Sequence, residues 1–474
     1  MVALWLVLDQ GTGSTRARVY DTAGRVVAEA RQPLTLLRPG PGRVEQDPEQ
    51  VVDSLHGCLR AIADQVRTTD LVAAGLATQR SSLLCWDPVD GHPLSPVISW
   101  MDRRTAGPVP DPAQRARIRR LTGLRYSPHY GAGKIRWCLD RLPAVREAVA
   151  AGRCLCGPLA AFLLDRCLQR PPHAVDTINA SRTLLWNLQS GRWDPGLLDL
   201  FGVPVRLLPA LMPDGADWGR LDIVDCPLYR VTGDQAAALH ADGPPRPGRV
   251  YLNLGTGAFV QAVTGDRPAR VDGLLTGVAR DDGGTRLHTL EGTVNGAAAA
   301  LAEVAGQTVT PARLDAALAA EMDPPLFLNG IGGLGSPWWV AAFPSRFLPQ
   351  RPASVAARLA AVAESILFLV QANLERLAEA GWRPRSLGLG GGLSRSSALC
   401  QRLADLSGLP VRGRRDPEAT LAGLHRLLRR DLGAEALPAQ DGPCYRPRRD
   451  GALQRRYRAW RAALAAELTV LGDA

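Results

Sequence analysis

Two short stretches, about half a chain apart, share one pattern that narrows the possible folds more than any other feature of the sequence. In the first, Leu4-Trp5-Leu6-Val7-Leu8 is an apolar run of strand length that ends on Asp9 and Gln10; Gly11-Thr12-Gly13 makes a turn, and Ala17-Arg18-Val19-Tyr20 restores the alternation of a second strand. In the second, Val250-Tyr251-Leu252-Asn253-Leu254 leads into Gly255-Thr256-Gly257 and out through Ala258-Phe259-Val260. Recurrence of a whole strand–turn–strand unit predicts two α/β domains built on one plan. Glycine at such turns permits a positive φ and lets a ligand approach the main chain. Bare N–H groups, the hydroxyls of Thr12, Ser14 and Thr15 and the cation of Arg16 would then cradle a polyphosphate. Asp9, at the strand end, is placed to hold Mg²⁺ through water. An ordinary hairpin with a polar tip is the alternative for either stretch taken alone.

At 474 residues the chain exceeds what one core supports, which fits two domains and an appendage. The apolar runs read as too short to cross a membrane, and the opening residues enter the first strand without a basic leader, so a cytoplasmic location is expected. Nine scattered cysteines, of which only Cys154 and Cys156 are close, predict reduced thiols. The net charge of +10 is nearly all arginine, since Lys134 is the only lysine, and it accompanies heavy use of alanine, glycine and proline. This is a bias of composition, and neither nucleic acid nor membrane is expected as a partner. The densest basic cluster, with Arg455, Arg456, Arg458 and Arg461 beside Trp460, Leu464 and Leu468, reads as an amphipathic helix with a solvated face.

In chain order, Asp47 reads as an N-cap with Pro48 opening a helix. Residues 71–79 form a buried strand ending in Gln79-Arg80-Ser81-Ser82, polar residues at the open edge of a sheet where α/β proteins bind ligands. Residues 228–232 are a strand and residues 235–240 a helix, so Asp234 stands at the turn between them, as an N-cap or as a carboxylate with chemistry to do. Residues 386–389, Gly390-Gly391-Gly392 and a helix from Ser396 repeat the strand-to-helix turn.

The ordered set of DQGTGSTR at 9–16, EQDP at 45–48, TQR at 78–80, SWMDRRT at 99–105, Leu121-Thr122-Gly123-Leu124, Lys134, NASRT at 179–183 and TGDQ at 232–235 resembles the N-terminal domain of the FGGY carbohydrate kinases, with glycerol kinase the nearest branch. The second Gly-Thr-Gly turn, Leu290-Glu291-Gly292, GLGSPWW at 333–339 and GGGLS at 390–394 continue the likeness to about residue 428. The resemblance implies two actin-like (ribonuclease H-like) domains with a nucleotide cleft between them, and transfer of a phosphoryl group from ATP, with Mg²⁺, to a hydroxyl of a small polyol or sugar. Such transfer needs neutralised phosphates, a metal bridge and a carboxylate to take the hydroxyl proton. It implies Asp234 as general base, and Asp9 with Asp234 at the metal. It places Gly11, Thr12, Gly13, Ser14, Arg16, Gly255, Thr256 and Gly257 on the phosphates, and Gly391, Gly392 and Ser396 beside adenosine, the last where the family has an asparagine. Arg80, Ser81, Trp100, His129, Asp234 and Gln235 would line the acceptor pocket. Residues 418–423 read as structural, a helix packed through small side chains.

Two of these positions depart from glycerol kinase: Ser81 stands where that branch has a glutamate, and His129 where it has a tyrosine. Loss of a carboxylate changes which hydroxyl pattern is satisfied. The alternatives are a kinase of a ketopentose or other sugar and a sensor of the same fold without turnover. Domains are expected at 1–240, 241–428 and 429–474, the last a helical appendage; self-association is compatible with all of this.

Overall fold

The computed structural model, which describes residues 3–106, 109–414, 416, 418–438 and 441–472, consists of two lobes that repeat one sheet topology. In the first lobe Leu4–Gln10, Ser14–Tyr20 and Val26–Pro33 run antiparallel, and Leu71–Thr78 and then Leu228–Gly233 add in parallel beyond the first strand. In the second lobe Arg249–Leu254, Ala258–Gly265 and Arg286–Val294 repeat the antiparallel set. Ser386–Gly390 and Val411–Arg414 repeat the parallel pair, and Leu275–Asp281 and Asp441–Tyr445 occupy the edges.

The opening strand is buried on both faces, as the centre of a covered sheet must be. Its alternation sends Leu4, Leu6 and Leu8 into a core with Val51, Leu55 and Leu59 of the helix Pro48–Ala63. That helix starts as its sequence dictates: Pro48 is its first residue, and the Asp47 carboxylate accepts from the Glu49 N–H at 3.0 Å. Trp5 and Val7 face the other way, into a core with Leu421, Leu424 and Leu428 of the helix Ala419–Asp431.

Residues 419–431, read from the sequence with the second half, therefore return to the first lobe. Small side chains do the packing there, as expected: a Cβ on Gly423 would lie 1.8 Å from the Ala237 carbonyl oxygen. Gly423→Ala must push two backbones apart, and it should lower stability by about 1–3 kcal/mol despite the better helix propensity of alanine. Thermal unfolding of the variant checks this.

One sequence expectation fails. The helix Val355–Glu379 is long and apolar enough to cross a membrane, but it forms the core of the second lobe, with Leu359, Ile366, Leu367 and Val370 fully enclosed. A long, largely apolar helix is equally the signature of one buried in a protein core. The basic C-terminal helix Gly451–Gly472 packs through Leu453, Tyr457, Trp460 and Leu464 onto the same core, with the Trp460 Nε1 donating to the Phe327 carbonyl at 3.0 Å. Eight of the nine free cysteines are buried, leaving Cys444 exposed.

Candidate active site

Between the lobes, a cleft of about 250 Å³ opens at the ends of both opening strands. Asp9, Thr12 and Arg16 line one wall, Asn253 and Gly391 another, and Asp234 with Gln235 the floor between them. Asp9 and Arg16 are cross-strand neighbours in the hairpin, so their ion pair at 2.6 Å follows from register. Arg16 also pairs with Glu418. Burial pushes the Asp9 carboxyl up to about 7 against the pull of Arg16, and the nearby carboxylates of Asp234 and Glu418 add to the rise. Asp9 Oδ1 is buried without a hydrogen-bond partner. An unsatisfied carboxylate oxygen in an acidic surround fits a hydrated Mg²⁺, which keeps its waters and takes phosphate oxygens as further ligands.

Of the two roles the sequence suggests for the turn glycines, the structure fits room for close approach and not a positive φ. None of Gly11, Gly13, Gly255 and Gly257 takes a positive φ. They keep space instead: nothing lies within 4 Å of where a Gly13 Cβ would be, and one on Gly257 would meet the Val294 carbonyl oxygen at 3.0 Å. The left-handed backbone belongs to Gly391, with φ +86° and the Leu254 carbonyl 2.5 Å from a would-be Cβ. Thr15 turns into the core, its hydroxyl 2.6 Å from that of Ser54, and so leaves the expected phosphate cradle. Gly13 and Gly392 adjoin lining residues in sequence, and Ser14, Gly255, Thr256 and Gly257 lie in the same two turns, but none of the six lines the cleft. Ser396 is fully buried as the N-cap of the helix Ser397–Ser407; its hydroxyl accepts from the Leu399 N–H at 3.2 Å and donates to Asp315, which takes it away from any adenosine contact. Trp338 and Trp339 also face elsewhere, the first against Trp460 and the second donating to the Gly273 carbonyl at 2.7 Å.

The acceptor residues converge. Gly233, not Asp234, is the N-cap of the helix Asp234–Ala238. The Asp234 carboxylate accepts from the Gln235 N–H at 2.7 Å and otherwise faces the cleft. Burial raises its pKa, and Arg80 opposes the rise. Arg80 lies between two carboxylates, 3.7 Å from Asp234 and 3.6 Å from Glu291, too far for hydrogen bonds and therefore with N–H groups free for a ligand. Arg182 in the first lobe grips both oxygens of Glu291 in the second at 2.5 Å. Against the upward push of burial, Arg182 and Arg80 hold Glu291 down to about 2. Trp100 donates to the Thr12 hydroxyl at 2.9 Å, which ties the acceptor side to the first glycine turn. His129 stacks edgewise on Trp100 and Tyr130 with centroids 5.7 and 4.9 Å apart. Burial and the cations of Lys134, Arg182 and Arg80 hold it neutral, well below the usual histidine range. Ser81 has a φ of 66° and a buried hydroxyl without a partner.

Sequence reasoning missed Glu418 and Thr420, which line the cleft, and the Arg182–Glu291 pair. Its available signal was a carboxylate at Glu291 within an otherwise buried strand, Arg286–Val294.

Models of the FGGY family of carbohydrate kinases match the chain over residues 4–224 for the N-terminal domain and 250–427 for the C-terminal domain. A glycerol kinase from Xanthobacter autotrophicus is 34% identical over 442 residues, covering 89% of each chain. One from Alcanivorax borkumensis is 32% identical over 97% of each. The fold is also that of Plasmodium falciparum glycerol kinase crystallised with ADP, with a TM-score of 0.87 at 20% identity over 98% of both chains. A ligand-bound xylulose kinase from Lactobacillus acidophilus gives 0.84 at 19% identity over 99% of this chain and 98% of that one. With both domain models matched in order and relatives a third identical along most of its length, this chain belongs to the FGGY family of carbohydrate kinases and is a carbohydrate or polyol kinase.

Proposed function

We propose that the enzyme transfers the γ-phosphoryl group of ATP to a hydroxyl of a small polyol or simple sugar, with Asp234 as general base. One observation carries this reading: Asp234 stands in the same cleft as Asp9, Thr12 and Gly391, with Arg80 3.7 Å away to orient a hydroxyl-bearing ligand. Asp234 takes the proton of the attacking hydroxyl as its oxygen bonds to the γ-phosphorus and the bond to ADP breaks. Arg80, Gln235, the neutral His129 and the unpartnered Ser81 hydroxyl hold the acceptor, while Trp100 forms an apolar wall. The main chain at Gly11 and Thr12 and the Arg16 cation meet the phosphates, and adenosine lies toward Gly391. Mg²⁺, held through water by Asp9 with Asp234 and Glu418 nearby, supplies charge neutralisation on the phosphates when bound. Closure of the lobes excludes water and limits idle ATP hydrolysis. The enzyme works as a cytoplasmic one, with ATP and the acceptor as its small-molecule partners.

Glycerol is the first acceptor to test, with ketopentoses next, because Ser81 and His129 remove a negative charge and a phenol from the pocket. ADP release from Mg-ATP is measured across glycerol, larger polyols and ketopentoses. Stimulation by one acceptor class is expected and identifies it. ATP binding with no stimulation across the panel overturns kinase activity in favour of a sensor.

A further inference from the structure

Lys134, on the helix Gly131–Arg141, is fully buried, and the chain has no other lysine among 56 lysines and arginines. Its Nζ donates to three backbone carbonyls: Ser99 at 2.8 Å, His129 at 2.9 Å and Ser81 at 3.2 Å. These carbonyls come from three separate segments, and each segment carries an acceptor residue: Arg80 and Ser81 on the first, Trp100 next to Ser99 on the second, His129 on the third. An ammonium has three N–H groups on one compact centre, whereas the arginine used everywhere else presents a flat fork that cannot face three converging carbonyls. Ser81 is also held in the left-handed region, a conformation that persists in a non-glycine residue only where the surroundings enforce it.

We propose that Lys134 is the positioning residue of the acceptor pocket. Its ammonium locks the Ser81, Trp100 and His129 segments in one arrangement and so sets which hydroxyl pattern the pocket accepts. The inference rests on the acceptor pocket named above, and it goes beyond it by assigning specificity to a side chain that touches no ligand. Three donors on three acceptors require the protonated amine, because a neutral amine would turn its lone pair on one carbonyl. Burial draws the Lys134 pKa down to about 7, with Asp102 opposing and Arg104 adding to the fall. The protonated state is therefore held by the carbonyls and Asp102 against burial and Arg104.

Lys134→Met keeps the length without the donors, and Lys134→Arg keeps the charge without the geometry. The acceptor identified in the panel, glycerol if it is active, is titrated by calorimetry against each full-length variant, with ATP titrated separately. Loss of at least tenfold in acceptor affinity in both variants is expected, with ATP affinity within about twofold and the rank order of acceptors altered. Unchanged acceptor affinity and rank order in either folded variant overturns the proposal, as does a parallel loss of ATP affinity. If neither variant folds, the single lysine is read in the parent: with ¹³C-lysine there is one Cε signal to follow. Movement of that signal on adding acceptor but not ATP supports the proposal, and indifference to saturating acceptor overturns it. Failure of the general-base assignment is seen separately, as turnover that survives Asp234→Asn.

Discussion

Asp234→Asn should cut kcat by about 10²- to 10⁴-fold, the range that a general base contributes, while acceptor and Mg-ATP affinities stay within about threefold. The substitution preserves shape and the acceptance of the Gln235 N–H at 2.7 Å, so it removes the proton acceptor and little else. Steady-state kinetics beside direct binding separates the two effects. In the parent, burial raises the Asp234 pKa above the ordinary carboxylate value, and a base works only when unprotonated. Activity should therefore fall on the acid side through a midpoint higher than that of an exposed aspartate, and the residual activity of the variant should lack this limb. A variant with near-parental kcat would leave proton removal to another group or to water.

Glu291→Ala should cost about 3–5 kcal/mol, the penalty for breaking a buried ion pair and stranding its partner. Here the partners are two: Arg182, which holds both carboxylate oxygens at 2.5 Å, and Arg80 at 3.6 Å. Chemical denaturation measures the loss, and the Asp234–Arg80 geometry should suffer with it, so that kcat falls as well. The pH dependence has a definite sign. The Glu291 pKa is lowered from 4.5 to about 2 in the fold, so its stabilisation is complete above about pH 4.5 and is lost as pH falls toward 2. The stability gap between parent and Glu291→Gln should narrow over that window and stay constant above it.

The sheet plan was legible because it is local and repeated. A strand, a small turn and a returning strand are all set by neighbours in sequence, as is the start of the helix at Asp47-Pro48. Of the candidate site, Asp9, Arg80 and Asp234 stood out as polar residues at or just beyond strand ends and Arg16 by its place in the hairpin, whereas Trp100, His129 and Gln235 were singled out by the resemblance alone. What escaped depends on which distant segment arrives. Ser396 reads equally as a ligand contact or an N-cap until Asp315 is seen beside it. The Arg182–Glu291 pair joins residues 109 positions apart. Residues 355–379 include a window long and apolar enough to cross a membrane, and sequence alone does not distinguish lipid from the interior of a lobe. Of the two reasons given for the turn glycines, only freedom of φ fails, since room for a close approach and freedom of φ call for the same residue.

A ribosome releases Trp5, Val7 and Tyr20 hundreds of residues before Leu421, Leu424 and Leu428, with which they share a core. Until those leucines emerge, one face of the first sheet has no cover, and the Ala237 carbonyl waits for Gly423. The second-lobe strands Arg249–Leu254 through Val411–Arg414, by contrast, leave the exit tunnel in one uninterrupted block. Vectorial synthesis normally lets the N-terminal unit fold first. In this chain the lobe that carries Asp9 and Asp234 is begun first but waits for residues 419–431, so a nascent chain stalled before residue 419 would hold its future catalytic half unfinished beside a second half that lacks only the edge strand Asp441–Tyr445 and the helix Gly451–Gly472.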